Sequence, residues 1–485
     1  MSSSSSVPVW IWLPGRHEPT LAAHLEPGRW TYTPEYLAAV DVGGEEMGAL
    51  APDPVELHLP RRRGGDRSAD AKPQPVPVKP MALAQAHHGS EGIPGVVRDA
   101  CPAGYGADRL NRRFGARLAD GQRLSPFQLM EHGPADSVGA LEVCQDIQAK
   151  LNWVPHTLSQ LGQHLDKLEE DAPASRAARL LDADAGTSAG GERPKLTVQH
   201  EGKLWLLKMQ DRGDAAAMPA REFVVMSLAA ALGLRVPELQ LHSYGERQVF
   251  MIARFDRKGV DSPLRALYAS AHTVLRLEPA ATPGDPRRSY LVLADRMRSW
   301  YGPGRTGELH TDLVELWRRM AFNALVGNVD DHPRNHGLLH EPLEGEVPGW
   351  RLSPLFDVTP ALRSGGAGGT NDGALVLSMA TGADGSCLAD AQRLLASCGH
   401  FGLTLDEAAV WLQAASQHIA KGWEKALRAA ATPAIDSGSP LDALVGDCRA
   451  AFGWSELLAS APSLITDAHG AAEAAGRRRQ RRRPG

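Results

Sequence analysis

Between residues 187 and 256 the apolar positions come in short runs broken by turn residues, and between 285 and 460 they recur at helical spacing. LTVQ and KLWLLKM flank His200-Glu201-Gly202, the pattern of two strands joined by a tight turn. AREFVVMSLAAAL (220–232) is made of good helix formers and is ended by Gly233. Two more strand-like runs follow, VPELQLHS and QVFMIARFD. The strongest helical spacing then covers 288–300, 309–325, 405–427 and 441–458. The interval 327–380 is irregular and strand-like, with a Gly-rich loop at 364–373. The N-terminal part has another texture: VWIWL is strand-like and RWTYTPEYLAAV mixes β-formers with turn signals. Residues 61–80 are charged and then Pro-rich, which reads as a linker or exposed loop. CPAGYGADRLNRRFGARL starts as a turn and continues as a basic amphipathic helix; 142–168 and 174–181 carry helical spacing.

The order predicts an α+β protein with a β-rich lobe, a helical lobe and a cleft between them, where ligands are preferentially bound. The expected divisions are a small β-rich unit at 7–60, a linker at 61–80, an N-terminal lobe at 81–270, an all-α C-terminal lobe at 271–460 and a disordered Arg-rich tail at 461–485. A length of 485 residues agrees with two to four such units, and 43% hydrophobic with 22% charged residues excludes a wholly disordered chain. Net charge is −5; without the six arginines of 477–483 the rest would stand at −11. Such a tail is either a solvated end or a contact for nucleic acid or an acidic partner. Five cysteines without a C-x-x-C pair exclude a zinc knuckle and fit free thiols in a reducing compartment. No secretion signal and no apolar run of membrane-spanning length is visible, so a cytoplasmic location is expected.

NVDDHPRNH (328–336) is the segment richest in chemistry. It follows a hydrophobic helix, and such a polar cluster is costly to bury without partners. Asp330 and Asn335 stand at D-x-x-x-x-N spacing, which in a phosphotransferase places a base for a hydroxyl proton beside a metal-holding amide. By itself the spacing equally describes a solvated turn. Downstream, GLLH and WRLSPLF are joined by turn residues, and a hairpin there returns Asp357 to the side of Asn335. Two oxygen donors suit magnesium, which fills its other positions with water and phosphate oxygens; alone, Asp357 also reads as a strand-ending turn residue. Upstream, TSAGGERPK (187–195) is either a plain turn or a phosphate cradle built on Ser188, Gly190 and Gly191, and it is not a Walker A motif. Lys208 closes an apolar strand, either as an edge residue with its charge in water or as a phosphate-binding cation. Glu222, early in the next helix, is a candidate partner for Lys208. The succession of Gly-rich turn, strand Lys, helix Glu, D-x-x-x-x-N, hairpin and Asp is the part order of a two-lobed phosphotransferase.

On these residues the sequence resembles the HipA family of bacterial toxin kinases. The resemblance is carried by SAGGERPK, LLK (206–208), REF…LAAALGLRVP (221–237), ARFDR (253–257), NVDDHPRNHGLL (328–339) and LSPLFDVTP (352–360). RWTYTPEYL, VVRDACPAGYG and DSVGALEV add looser likeness in the N-terminal half. The resemblance implies a two-lobed protein-kinase-like fold and a serine/threonine-protein kinase using ATP and magnesium. It implies Asp330 as base, Asn335 and Asp357 as metal ligands, and Lys208 as the phosphate lysine. Ala253 and Phe255 would meet adenine, and Ser188 would be autophosphorylated in a loop that switches the enzyme off. It also implies a target protein, by family habit an aminoacyl-tRNA synthetase, and a helix-turn-helix antitoxin through which alone DNA would be touched. The insert at 61–80, the Arg-rich tail and RLEPAATPGDPRRS (276–289) depart from the family pattern. Two other readings stand beside it: a small-molecule kinase of the same fold, and an inactive kinase fold used as a binding module.

Overall fold

The computed structural model describes residues 6–42, 50–60, 78–83, 91–115, 122–167, 195–210, 214, 216–282, 284–302, 304–341, 348–362, 375–435 and 438–481. Ser188, Gly190 and Gly191, the helix expected at 174–181, the loop at 364–373 and most of the 61–80 segment lie outside them.

The apolar β-patterned runs become two five-stranded sheets. The first has Val7–Trp12 between Pro19–Glu26 and Leu141–Val143, with Arg29–Tyr32 and Met81–Ala82 beyond, all antiparallel. The second runs His156–Thr157, Lys195–His200, Lys203–Met209, Arg247–Ala253 and Leu239–Tyr244; only its first pair is parallel. The Lys195–His200/Lys203–Met209 hairpin closes through Glu201 at φ 49° and Gly202 at φ 71°, the two positive values that a two-residue turn matched to strand twist demands. The helix Met218–Ala231 packs on the Arg247–Ala253 and Leu239–Tyr244 strands and against the helix Leu405–Ala431. Gly233, at φ 77°, closes it, with Leu234 N–H bonded back to Ala229 O.

The C-terminal region holds the long helices Tyr290–Trp300, Thr306–Leu325, Leu405–Ala431 and Ser439–Ser460. It is not the all-α lobe that the sequence predicts. Leu267–Ser270, Gly337–Glu341 and Gly349–Leu352 form a three-stranded antiparallel sheet, and Leu375–Val376 pairs with Leu388–Ala389. Short buried runs flanked by turns satisfy their backbone groups more readily as strands than as helices too short to nucleate. The tail is not disordered throughout either. Ser463–Arg481 is a helix whose Ile465 and Ala468 are buried in the main core, and His469 Nε2 lies 2.7 Å from Asp406 Oδ1. Ala-rich sequence favours the helix, and burial of its apolar stripe anchors it.

The continuous helix expected over 142–168 is also corrected. Leu141–Val143 is a strand, and helices Ile147–Leu151 and Leu158–Asp166 are separated by Trp153, Val154 and Pro155. Pro155 has no N–H to donate and turns Val154 away from helical geometry. Among the described residues no helix is long and apolar enough to cross a membrane.

Candidate functional site

A cavity of about 280 Å³ opens where the second sheet, the three-stranded sheet and the N-terminal region meet. Lys208, Ala253, Phe255, Asn335 and Asp357 all line it, together with Lys195, Arg98, Asp99 and Val138. Residues from four distant parts of the chain therefore share one enclosure.

Lys208 reaches it because alternation along KLWLLKM sends Lys208 to the face opposite Leu207, which is fully buried. Its ammonium donates to Glu222 Oε1, on the helix Met218–Ala231, and at 2.6 Å to Asp357 Oδ1. Glu222 is 4% exposed. Burial works against the Lys208 charge, but the Asp357 and Glu222 carboxylates outweigh it and hold the amine firmly protonated. Burial likewise opposes ionisation of Asp357, and Lys208, with Lys195 behind it, holds that carboxyl well below the usual range. Asp357 takes up a left-handed φ of 59°, a sharp bend that Asp tolerates better than most residues. Phe356, just before it, packs on Phe255 with ring centroids 5.6 Å apart, which ties the Asp357 turn to the end of the Arg247–Ala253 strand.

Asp330 and Asn335 share one loop at the end of the helix Thr306–Leu325. Asn335 Nδ2 donates at 2.7 Å to the Asp330 carbonyl, so Asn335 keeps its amide oxygen for other use. The strands Gly337–Glu341 and Gly349–Leu352 form the expected hairpin and carry the chain from Asn335 back toward Asp357. The Asp330 side chain is 81% exposed, with His332 Nε2 3.9 Å from its Oδ1. Asp331 is the opposite case and is fully buried. Its carboxylate accepts from Tyr290 Oη at 2.7 Å and Ser378 N at 2.5 Å, and Asn323 Nδ2 donates in turn to Tyr290 Oη at 2.9 Å. Burial pushes the Asp331 carboxyl up to about 7 despite these donors. The adjacent pair thus divides: one aspartate anchors the loop, and the other faces outward.

Among the described residues no group of three or more His, Cys, Asp or Glu could hold a metal ion. The Asn335 amide oxygen and the Asp357 oxygen not taken by Lys208 are hard donors, few in number, and fit magnesium, which relies on phosphate and water for the rest.

Sequence reading missed the N-terminal contribution to this wall. Asp99 is bonded by Ser270 N and Oγ, each at 2.7 Å, and by Thr273 Oγ1 at 2.8 Å, which docks the helix Gly95–Ala100 onto the cavity rim. Lys195 lies directly across the strand pair from Lys208. Its position at a strand start was visible, but that register required knowing the turn.

The chain is similar to several known proteins. HipA of Shewanella oneidensis MR-1, solved in a toxin–antitoxin complex with HipB and its operator DNA, shares the fold at a TM-score of 0.52 and 17% identity, over 78% of this chain and 86% of that one. The Helicobacter pylori proinflammatory kinase CtkA gives a TM-score of 0.36 and 13% identity over 58% of this chain and 95% of that one. The protein Y4dM of Sinorhizobium fredii (strain NBRC 101917 / NGR234) is 29% identical over 180 residues, which cover 34% of this chain and 39% of that relative. Residues 187–429, half of the chain and all of the Lys208–Asn335–Asp357 wall, match the HipA-like C-terminal domain, and to that family the protein belongs.

Proposed function

We propose that the protein is a HipA-like toxin kinase that transfers the γ-phosphate of ATP to a serine or threonine hydroxyl of a target protein. The observation that carries this reading is the convergence of Lys208, bonded to Glu222 and Asp357, with Asn335 on one cavity wall beside the exposed Asp330. Phosphoryl transfer asks chiefly for positioning and charge neutralisation, and these groups supply both.

In this reading Lys208 binds the nucleotide phosphates and Glu222 orients its ammonium. Asn335 and Asp357 would hold magnesium, and the ion would supply charge neutralisation at the phosphates. Asp330, whose side chain is 81% exposed, accepts the proton of the acceptor hydroxyl. Asp331, locked to Tyr290 and Ser378, keeps the Asp330–Asn335 loop in register. The backbone of Ala253 and Phe255 receives adenine. Ser188 is the autophosphorylation site that turns the enzyme off. The structural neighbour's complex with HipB and operator DNA supports a helix-turn-helix antitoxin as partner, with DNA reached through it. The target belongs to the aminoacyl-tRNA synthetases, by the family habit.

The test is incubation of the protein with γ-labelled ATP, magnesium and cell lysate, beside Asp330→Ala. Label entering protein with the wild type and not with the variant is the expected result. Label found only in small molecules selects the small-molecule kinase. Absence of both transfer and magnesium-dependent ATP affinity selects the inactive binding module.

A further inference from the structure

The strand Arg247–Ala253 is followed by Arg254, whose guanidinium is held on every side. Its Nη1 donates to Asp136 Oδ1 and, at 3.2 Å, to Thr197 Oγ1. Nε and Nη2 grip both oxygens of Asp256 at 2.9 and 2.7 Å, and Nη2 also reaches Ser137 O at 3.3 Å. Thr197 Oγ1 donates to the second Asp136 oxygen at 2.7 Å. Asp256 in turn accepts the Gly139 N–H at 2.7 Å, and Arg257 donates at 2.8 Å to Gly139 O. The Asp136 side chain is fully buried, and those of Arg254 and Asp256 are each 5% exposed. Gly139 sits at φ 83°, and an added Cβ would fall 3.0 Å from Tyr268 N, so the loop can approach this closely only with glycine there.

Two of these residues, Arg254 and Asp256, line the same cavity as Lys208, and so does Val138 from the opposing loop. The Ala253–Phe255 backbone is thus clamped from outside the 187–429 segment by residues 136–139. A planar five-donor fork fixes orientation as well as charge, so Asp136 sets the plane of Arg254 and with it the course of the chain at 253–255.

We propose that residues 136–139 are a built-in part of the nucleotide site: Asp136 and Arg254 are positioning residues that hold the Ala253–Phe255 backbone ready for the adenine base. The proposal rests on the nucleotide-binding reading above. It is read by the affinity of the full-length protein for a fluorescent N-methylanthraniloyl ATP with magnesium, alongside melting temperature. Arg254→Lys keeps a buried cation between both carboxylates but loses the fork, so it is expected to stay folded and to bind at least tenfold more weakly. Asp136→Asn should give a similar loss, Asp136→Glu should restore part of it, and the double variant should bind no worse than the weaker single. Arg235→Lys, at the ion pair with the buried Asp312 and outside the cavity lining, is the control, expected to lower the melting temperature without changing affinity. Wild-type affinity in a folded Arg254→Lys, or a loss in Arg235→Lys as large as in Arg254→Lys, overturns the proposal. A wild type that does not bind the probe overturns the nucleotide reading instead.

Discussion

Lys208→Met removes one ammonium and leaves two carboxylates facing each other. In the wild type that ammonium touches both Glu222 Oε1 and Asp357 Oδ1. The Asp357 side chain is 35% exposed and can turn to water, but the Glu222 side chain, at 6%, cannot. Burial already raises the Glu222 carboxyl, with Lys208 chiefly opposing the rise; in the variant only the weaker pull of Lys195 opposes it. The least costly response is for Glu222 to take up a proton on folding. The ceiling on that penalty is the work of protonating an ordinary glutamate, about 1.4 kcal/mol per pH unit above a pKa near 4.3. It amounts to ~3.7 kcal/mol at pH 7 and ~1 kcal/mol at pH 5. The sign follows from linkage: the folded variant binds the extra proton, so its deficit against wild type grows as pH rises from 5 to 7, by up to ~2.7 kcal/mol. Urea unfolding of both proteins at pH 5, 6 and 7 measures this difference directly, because all other titrating groups are common to the pair. Phosphate transfer should fall by roughly 10²–10³-fold at all three pH values, the usual effect of losing one preorganised donor. A stability deficit that does not change with pH refutes the coupling of Lys208 to Glu222, and undiminished transfer refutes its role at the phosphates.

Asp330→Ala should unfold within ~0.5 kcal/mol of wild type, because its side chain is largely exposed and the Asn335 bond goes to its carbonyl. Transfer should drop by about 10²–10⁴-fold with nucleotide affinity unchanged, measured by labelling and titration. Asp331→Asn should gain stability relative to wild type as pH rises from 4 to 7, by as much as ~4 kcal/mol, because the carboxyl titrating near 7 in the fold favours folding only while protonated. His336→Gln should do the reverse: burial holds His336 down to about 3, so the wild type loses that residue's contribution as pH falls below 6.5 and the variant does not. Chemical unfolding across pH 4–7 checks both. Gly337→Ala places a methyl 2.4 Å from the Tyr268 ring and should destabilise by about 1–3 kcal/mol, seen as a lowered melting temperature.

The parts of the site legible in the sequence are those placed by local rules. Alternation put Lys208 on the cavity face, the Glu201-Gly202 turn set the hairpin, and the Asn335–Asp357 spacing fitted a second hairpin. Glu222 was legible because it begins a helix whose period is plain. The N-terminal half of the wall was not. Asp99, Asp136 and Gly139 meet partners more than 100 residues away, and no local period records such a contact. Buried charges mislead further, since DSVG (136–139) has the composition of a solvated turn yet lies beneath Arg254 and Asp256. The Ser463–Arg481 helix was overlooked because its charge run hides the small apolar stripe of Ile465 and Ala468.

The bond between Lys208 and Asp357 has a further meaning. At rest the cleft supplies its own counter-ion, so a lone inorganic anion must strip Lys208 of a carboxylate and offers nothing to the acid it displaces. A ligand that brings cation and anion together exchanges partners on both sides at once. On the proposed kinase reading, this bond is what selects a metal–nucleotide pair over free phosphate.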